Sequence, residues 1–300
     1  MKCDISFIIP VLNEEEKIGK LLNKIHQASS DYNTEIIVID SGSTDSTAKI
    51  VKLYQRKISN LHLISKNKTD FNRSKTRNLA IRKAKSKLIC LCTGHAIPTN
   101  NNFIKYFLDD FKLNNKVVAV FTEDILSQYT PIIPRIEVMC KMERLNKYCN
   151  RNGVLLQTLK APFIDYNENN KFLWYFMSNI FTCYKKSFLL KYPFPNTEYG
   201  EDALLGKILI EKGYAKVYDR RCATIHYHKF SLLQYYQREK EDLKLRISKL
   251  KVKNRVNISA KIAKLLNMRV NPIQKIYFLL QLLFYYSLKL FIFASLFIKK

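Results

Sequence analysis

Through its first 120 or so residues the chain alternates short apolar runs with stretches whose apolar residues recur at helical spacing. Ile5 to Val11 is a β-rich run containing Pro10 and followed by the polar Asn13-Glu14-Glu15-Glu16; behind it Ile18, Leu21, Leu22 and Ile25 share one helical face. Glu35 to Asp40 (EIIVID) has the near-continuous apolar character of a buried strand. In Ser41 to Thr47, Ser and Asp side chains are available to cap a helix carrying Ile50, Val51 and Tyr54. Leu61 to Ser65, a helix around Thr76 to Ala84, the strand Leu88 to Cys92, a helix near Phe103 to Phe111 and the strand Val117 to Phe121 continue the alternation. Such an order predicts an α/β fold with a mainly parallel sheet and helices on both faces. Residues 125 to 175 read as a less regular insertion. A second α/β stretch follows, with the strand Ile180 to Tyr184, the helix Asp202 to Lys212, Gly213 as its C-cap and the strand Ala215 to Tyr218.

From about Arg238 the pattern changes to helices dense in Lys and Arg, and Tyr277 to Ile298 is almost wholly Leu, Phe, Ile and Tyr. The expected division is an α/β domain over 1–240 and a basic and hydrophobic helical extension over 241–300. The terminal stretch is long enough to span a bilayer, but Gln281, Tyr285 and Lys289 form a polar line at i, i+4, i+8. A Lys at mid-membrane costs about 2.5 to 3.5 kcal/mol on insertion scales. A helix lying in the membrane interface, or packed on its own domain, is therefore expected over a span. The plainer alternative is a terminal core helix with a solvated positive flank.

Composition narrows the picture. At 47% hydrophobic residues over 300 positions the chain can bury a substantial core. Its formal charge of +26 would suit nucleic acid, anionic phospholipid or a nucleotide diphosphate. The absence of zinc-finger spacing, an RNP-like box and a helix-turn-helix signature argues against nucleic acid. The 7 cysteines are odd in number and scattered, which fits a reducing compartment, and Cys90-Leu91-Cys92 reads as core packing because no second pair completes a zinc site. The apolar stretch in MKCDISFIIP is too short for a signal peptide, so the body of the protein is expected in the cytoplasm.

In open α/β sheets ligands bind beyond the carboxyl ends of the strands, and the polar clusters Pro10 to Glu14, Asp40 to Asp45 and Thr93 to Pro98 occupy such ends. Ser6-Phe7-Ile8-Ile9-Pro10 with Asn13-Glu14, then Val38-Ile39-Asp40-Ser41-Gly42-Ser43-Thr44-Asp45, resemble the first two motifs of family-2 glycosyltransferases of the GT-A fold. Arg77-Asn78, Gly94-His95-Ala96-Ile97-Pro98 and Gly200-Glu201-Asp202 follow in the family's order, so that the resemblance covers roughly residues 5 to 240. The run from Tyr199 to His226 and His228 is similar to the rhamnosyltransferase-like branch that serves surface polysaccharides.

The resemblance implies a nucleotide-sugar site at Pro10, Asn13, Glu14, Asp40, Ser43, Arg77, Asn78 and His95. Asp40 would accept the N–H of the base, with helix capping as its alternative; Pro10 and Asn13 would shape the wall around base and ribose; Glu14 could equally complement a helix dipole. The family usually holds a divalent metal with Asp-x-Asp, where this sequence reads Thr93-Gly94-His95. A cation, Mn²⁺ or Mg²⁺, would have to rest on His95 and His226, or else basic residues such as Arg77, Arg73 or Lys75 would neutralise the diphosphate. Asp202 matches the family's catalytic base, and Glu201 would orient the acceptor or a cation. Both open a helix, whose dipole is expected to keep them ionised near neutral pH.

No separately placed nucleophile is apparent, so a single inverting displacement is implied, with a nucleotide-sugar donor and a glycan or lipid-pyrophosphate-linked acceptor at the inner face of the cytoplasmic membrane. Transfer to a simple polyprenyl phosphate and a non-catalytic nucleotide-sugar or nucleic-acid binder are the alternatives. Trp174, the only tryptophan, suits either a sugar-stacking platform or a core anchor.

Overall fold

The computed structural model describes residues 3–66, 73–159, 166–167, 170–197, 199–227, 232–252, 258–268 and 270–298. The chain opens with strand β1 (Ile5–Val11), helix α1 (Ile18–Ala28), β2 (Thr34–Asp40), α2 (Thr47–Gln55), β3 (Leu61–Ser65), α3 (Arg73–Lys83) and β4 (Leu88–Cys92). A short β5 (Ala96–Pro98), α4 (Phe103–Asp110) and the long β6 (Val117–Leu126) come next. The middle of the chain holds α5 (Ile132–Asn146), β7 (Val154–Gln157), α6 (Lys171–Tyr175), β8 (Phe181–Lys185) and α7 (Lys186–Lys191). Then come α8 (Glu201–Glu211), β9 (Ala215–His226), α9 (Leu232–Lys244), which continues into a π-helical turn over Leu245–Leu250, α10 (Ile258–Leu266) and α11 (Pro272–Ile298).

Among the described residues the strands join in one nine-stranded sheet of order β3-β2-β1-β4-β8-β6-β9-β5, with β7 on the side of β9. The alternation of side chains along β1 and its neighbours sorts them into two cores. Ile8, Ile37, Ile39, Ile89 and Leu91 pack on one face of the sheet, while Phe7, Ile9, Ile36, Val38, Cys90 and Cys92 pack on the other with Leu21, Leu22 and Ile25 of α1. Strands buried on both faces read as continuous apolar runs for this reason. The thiols of Cys90, Cys92, Cys183 and Cys222 are core groups, and all seven cysteines are free.

The sheet is parallel through β3, β2, β1 and β4, as the alternation predicts, and mixed beyond: β8 runs antiparallel to both β4 and β6, while β6 and β9 are parallel. The region 125–175 is also more regular than its composition suggests, since it holds α5, with fifteen residues. Pro131 and Pro134 look like helix breakers, but they stand at the N-cap and in the first turn, where a proline interrupts no intrahelical bond. Trp174 is fully buried and donates from Nε1 to the Thr158 carbonyl at 3.0 Å, so it is a core anchor and cannot stack on a sugar.

Ile132, Ile133 and Ile136 of α5 form a third, smaller core with Leu265 of α10 and Leu282, Tyr285 and Tyr286 of α11. The C-terminal helices thereby lie against the α/β body. Lys289, the lysine in the apolar stretch of the last helix, faces inward, donating to Tyr285 Oη at 2.8 Å and pairing with Glu239 of α9 at 2.7 Å.

The helix that carries the site, α8, approaches α6 at Gly206, where an added Cβ would overlap the Tyr175 carbonyl oxygen. Alanine is the better helix former, yet Gly206→Ala is expected to destabilise the fold by about 1–3 kcal/mol, because backbone must shift to admit the methyl group. Urea unfolding measures this; an unchanged or raised midpoint would contradict the packing described.

Candidate active site

The loops that follow β1 and β2 are laced together by reciprocal hydrogen bonds. Asn13 donates its backbone N–H to Ser43 Oγ at 3.0 Å, and its side-chain Oδ1 accepts from Thr44 N at 2.9 Å. Glu14 N donates to Thr47 Oγ1 at 2.7 Å, and Glu15 and Asp45 complete the seam. Asn13 adopts φ 55°, a left-handed conformation that asparagine tolerates better than most residues. Asp40, at the carboxyl end of β2, accepts from both Ser43 N (3.1 Å) and Ser43 Oγ (2.6 Å) through Oδ1. Its Oδ2 makes no hydrogen bond among the described residues and remains available to a ligand donor.

Beside this seam lies a cavity of about 330 Å³ whose wall includes Pro10, Glu14, Arg77, His95, Asp202 and His226. Strand β5 pairs with β9 so that Ala96 stands opposite His226, which brings His95 against the end of β9. The two imidazoles stack with centroids 4.8 Å apart and face each other Nε2 to Nε2 at 2.9 Å. Glu14 Oε1 lies 2.5 Å from His95 Nδ1. A carboxylate there accepts a hydrogen bond from Nδ1–H, the tautomer of a neutral His95 that leaves the Nε2 lone pair facing His226. Gly94 permits this closeness, since a Cβ would come within 2.9 Å of Glu14 Cγ and Val11 Cγ1.

Two Nε2 atoms converging on one position can share a proton or ligate one cation. Among the described residues no group of three or more His, Cys, Asp or Glu side chains is arranged to hold a metal. Two imidazoles therefore suit a divalent ion only if the remaining ligands come from a bound diphosphate, and this pair suits that arrangement.

Asp202 stands in the first turn of α8. Preceding it, Glu201 is held in a buried ion pair with Arg77 of α3. Ala203 N donates to Asp202 Oδ1 at 2.8 Å. Burial, and then the neighbouring Glu201 carboxylate, raise the Asp202 pKa to about 6 against the backbone donors and Arg77, which lower it. The helix end thus does not keep this carboxylate in the ordinary range, as its first-turn position alone suggests; desolvation outweighs the dipole. Asp202 remains mostly ionised at neutral pH and is a stronger base than a solvated aspartate.

A second cavity, of about 260 Å³, lies on the other side of Asp202, between α5, α8 and α9. Ser178, Ile180, Glu201, Asp202, His226 and Arg238 line both cavities, so Asp202 is on their common wall. Asp124, from the end of β6, also lines the second cavity; burial raises its pKa to about 7, with Ser178 and Lys141 opposing and Asp202 reinforcing the rise.

Of the residues singled out in the sequence, Pro10, Glu14, Arg77, His95, Glu201, Asp202 and His226 meet at one cavity. Asn13 and Ser43 belong to the loop seam, and Asp40 stands next to it. Asn78 is used elsewhere: its amide clamps the Phe194 backbone, donating to the carbonyl and accepting from N–H, both at 3.0 Å. Lys75 is exposed on α3; His228 and the Arg73 side chain lie outside the described residues. Asp124, Lys141 and Arg238 stand apart from recognisable motifs, and the packing of β6, α5 and α9 brings them to the site.

Comparison with known proteins identifies the family and the fold. The sequence model of Glycosyl transferase family 2 matches residues 6–221. The O-antigen chain rhamnosyltransferase RfbN of Salmonella typhimurium is 26% identical over 243 residues, which are 78% of this chain and 69% of that protein. The O-antigen chain rhamnosyltransferase WbaN of Salmonella anatum is 29% identical over 218 residues, 71% of this chain and 62% of that protein. Among solved structures, the mannosyltransferase PcManGT from Pyrobaculum calidifontis, in complex with GDP-Man and Mn²⁺, superposes with a TM-score of 0.62 at 14% identity, covering 98% of this chain and 86% of that one. The shared architecture is the GT-A fold.

The Arg77–Glu201 pair makes a direct prediction. Removing one partner leaves the other charge buried, so Arg77→Met is expected to cost about 3–5 kcal/mol, and the double variant Arg77→Met/Glu201→Met distinctly less. Chemical denaturation of the wild type, both single variants, Arg77→Met and Glu201→Met, and the double variant reads the cycle; additive losses would show that the two side chains do not act as a pair.

Proposed function

The chain belongs to Glycosyl transferase family 2, and from that membership we propose that it is an inverting enzyme that moves one sugar from a nucleotide sugar to a glycan acceptor during surface-polysaccharide synthesis. The observation that carries the reading is the position of Asp202 on the wall shared by two cavities. The donor's diphosphate and sugar fill the cavity beside Pro10 and His95, with the base reaching Oδ2 of Asp40. The acceptor enters from the cavity beneath α5 and α9.

In the transfer step the acceptor oxygen bonds to the anomeric carbon on the face opposite the diphosphate, the carbon–oxygen bond to the diphosphate breaks, and the hydroxyl proton passes to Asp202. One displacement inverts the centre. Glu201, fixed by Arg77, keeps Asp202 from swinging and holds its basicity up. Arg238, which borders both cavities, offers positive charge to the departing diphosphate. His95 and His226 would hold a divalent cation, Mn²⁺ or Mg²⁺, that neutralises diphosphate charge.

The membrane reading rests on α11. Leu282, Tyr285, Tyr286 and Ile292 are buried against the body, whereas Ile276, Leu280, Leu283, Phe284, Leu290 and Phe291 are each more than half exposed and follow one another at helical spacing. An apolar stripe on a chain of charge +26 suits an anionic bilayer surface, with the protein peripheral on its cytoplasmic side. A lipid-pyrophosphate-linked acceptor would then be presented beside the second cavity, whose wall includes Lys289 of the same helix.

Three measurements test these statements. With a panel of nucleotide sugars, nucleoside diphosphate release is expected from at least one donor; no response to any donor would overturn the reading. Asp202→Asn is expected to lower turnover by about 10²- to 10⁴-fold while leaving donor affinity within a few-fold, and wild-type turnover should rise with pH through about 6 as the base loses its proton. Activity of the variant near wild type would remove Asp202 from the role. The full chain should co-sediment with anionic vesicles and much less with neutral ones, and Leu283→Glu/Phe284→Glu should abolish this; equal sedimentation of variant and wild type would rule out docking through α11.

A further inference from the structure

The second cavity contains charges that the transfer step leaves unused. Most already have partners. Asp242 pairs with Arg246 at 2.6 Å, Glu239 with Lys289 at 2.7 Å, and Glu137 with Lys261. Lys141 of α5 is different. It is half-buried and lines the cavity, with its ammonium 4.5 Å above the Phe176 ring. Among the described residues that ammonium makes no hydrogen bond and no ion pair within 4 Å. Its electrostatic neighbours are two further cations, Arg246 and Arg238, the acids Asp242 and Glu137, which are already paired, and Asp124, whose carboxyl burial pushes up to about 7 so that it carries only part of a charge at neutral pH. Burial first, and then those two arginines, lower its pKa, with Asp242 and Glu137 opposing. A lysine so placed gains strongly from an anion that replaces its lost hydration.

We infer that the second cavity binds an anionic group of the acceptor, a phosphate or a sugar carboxylate, on the ammonium of Lys141, flanked by Arg238 and Arg246. The inference rests on the reading of this cavity as the acceptor side. Phe172 under Arg246, at 4.1 Å, and Phe176 under Lys141 form an aromatic floor that keeps the two cations directed into the cavity. The subsite shares a cavity with Asp202, so an anion bound there would help orient the acceptor hydroxyl toward the base.

The test uses the full chain saturated with whichever of UDP, GDP and dTDP it binds, so that the donor cavity is filled, in about 0.15 M salt to screen the basic surface. Inorganic phosphate, methyl glucuronide and neutral methyl glucoside are titrated separately by calorimetry or ligand-observed NMR. At least one anion is expected to bind. Its affinity should fall about 10- to 100-fold in Lys141→Met and stay within a few-fold in Lys141→Arg. Phosphate alone would identify a phosphate-bearing acceptor, and glucuronide alone an acidic sugar; either supports the inference. In wild-type protein carrying ¹³C-lysine, the Cε resonance missing from Lys141→Arg should move on adding that anion, a readout that holds even if Lys141→Met does not fold. No anion binding, equal anion affinity in Lys141→Met, or a Lys141 resonance that stays still would each overturn it. Failure of every nucleoside diphosphate to bind would count instead against the donor reading.

Discussion

The site depends on one buried ion pair. Arg77 leaves α3 from beneath the parallel half of the sheet, Glu201 opens α8 from the later half, and their contact fixes where α8 begins. Everything the site needs of Asp202 follows from its being the next residue. Its backbone donor Ala203, its burial and its place between two cavities are set once Glu201 cannot move. An exposed pair would contribute little to such positioning; a desolvated one is held because either charge alone is costly.

A second constraint works at the opposite wall. The seam between the β1 and β2 loops holds Asn13 in a strained left-handed conformation and uses Ser43 and Thr47 as clasps. These hydrogen bonds give the loops a fixed shape before any ligand arrives, which reduces the ordering cost of binding. Glu14 extends the same rigidity to His95, so the imidazole pair is oriented from the loop seam on one side and from the β5–β9 pairing on the other.

Much of this was legible in the sequence because buried strands announce themselves as apolar runs and the residues at their carboxyl ends are polar and clustered. Pro10, Glu14 and His95 could be located in that way, whereas Asp202, at a helix start, was legible only through the resemblance of Gly200-Glu201-Asp202 to a family motif. Asp124 and Lys141 could not: each is an ordinary polar residue within an element whose partner lies far along the chain, and only packing against α9 brings it to the cavity. The mixed half of the sheet was hidden for a related reason. Strand β8 fills the slot between β4 and β6, and local periodicity does not encode which slot a strand takes or in which direction. The less regular look of 125–175 hid α5, whose two prolines stand at its N-cap and in its first turn, where they interrupt no intrahelical bond. Asn78 follows a motif but clamps backbone, so its motif position did not predict its contact.

Helix α11 has the hydrophobicity of a removable anchor and the connectivity of a structural part. Its Lys289 neutralises Glu239 on α9, and Glu239 lines the cavity next to Arg238 and Asp242. Shortening the chain before Pro272 to make a more soluble protein would therefore strip one wall from the cavity, uncover the apolar seat of Tyr285 and Tyr286 on α5, and leave the Glu239 carboxylate without its counter-ion. Such a truncated form would be a poor proxy for the enzyme: loss of acceptor use in it would report a damaged pocket as readily as a missing membrane contact. Charge substitutions on the outer face of the helix separate the two.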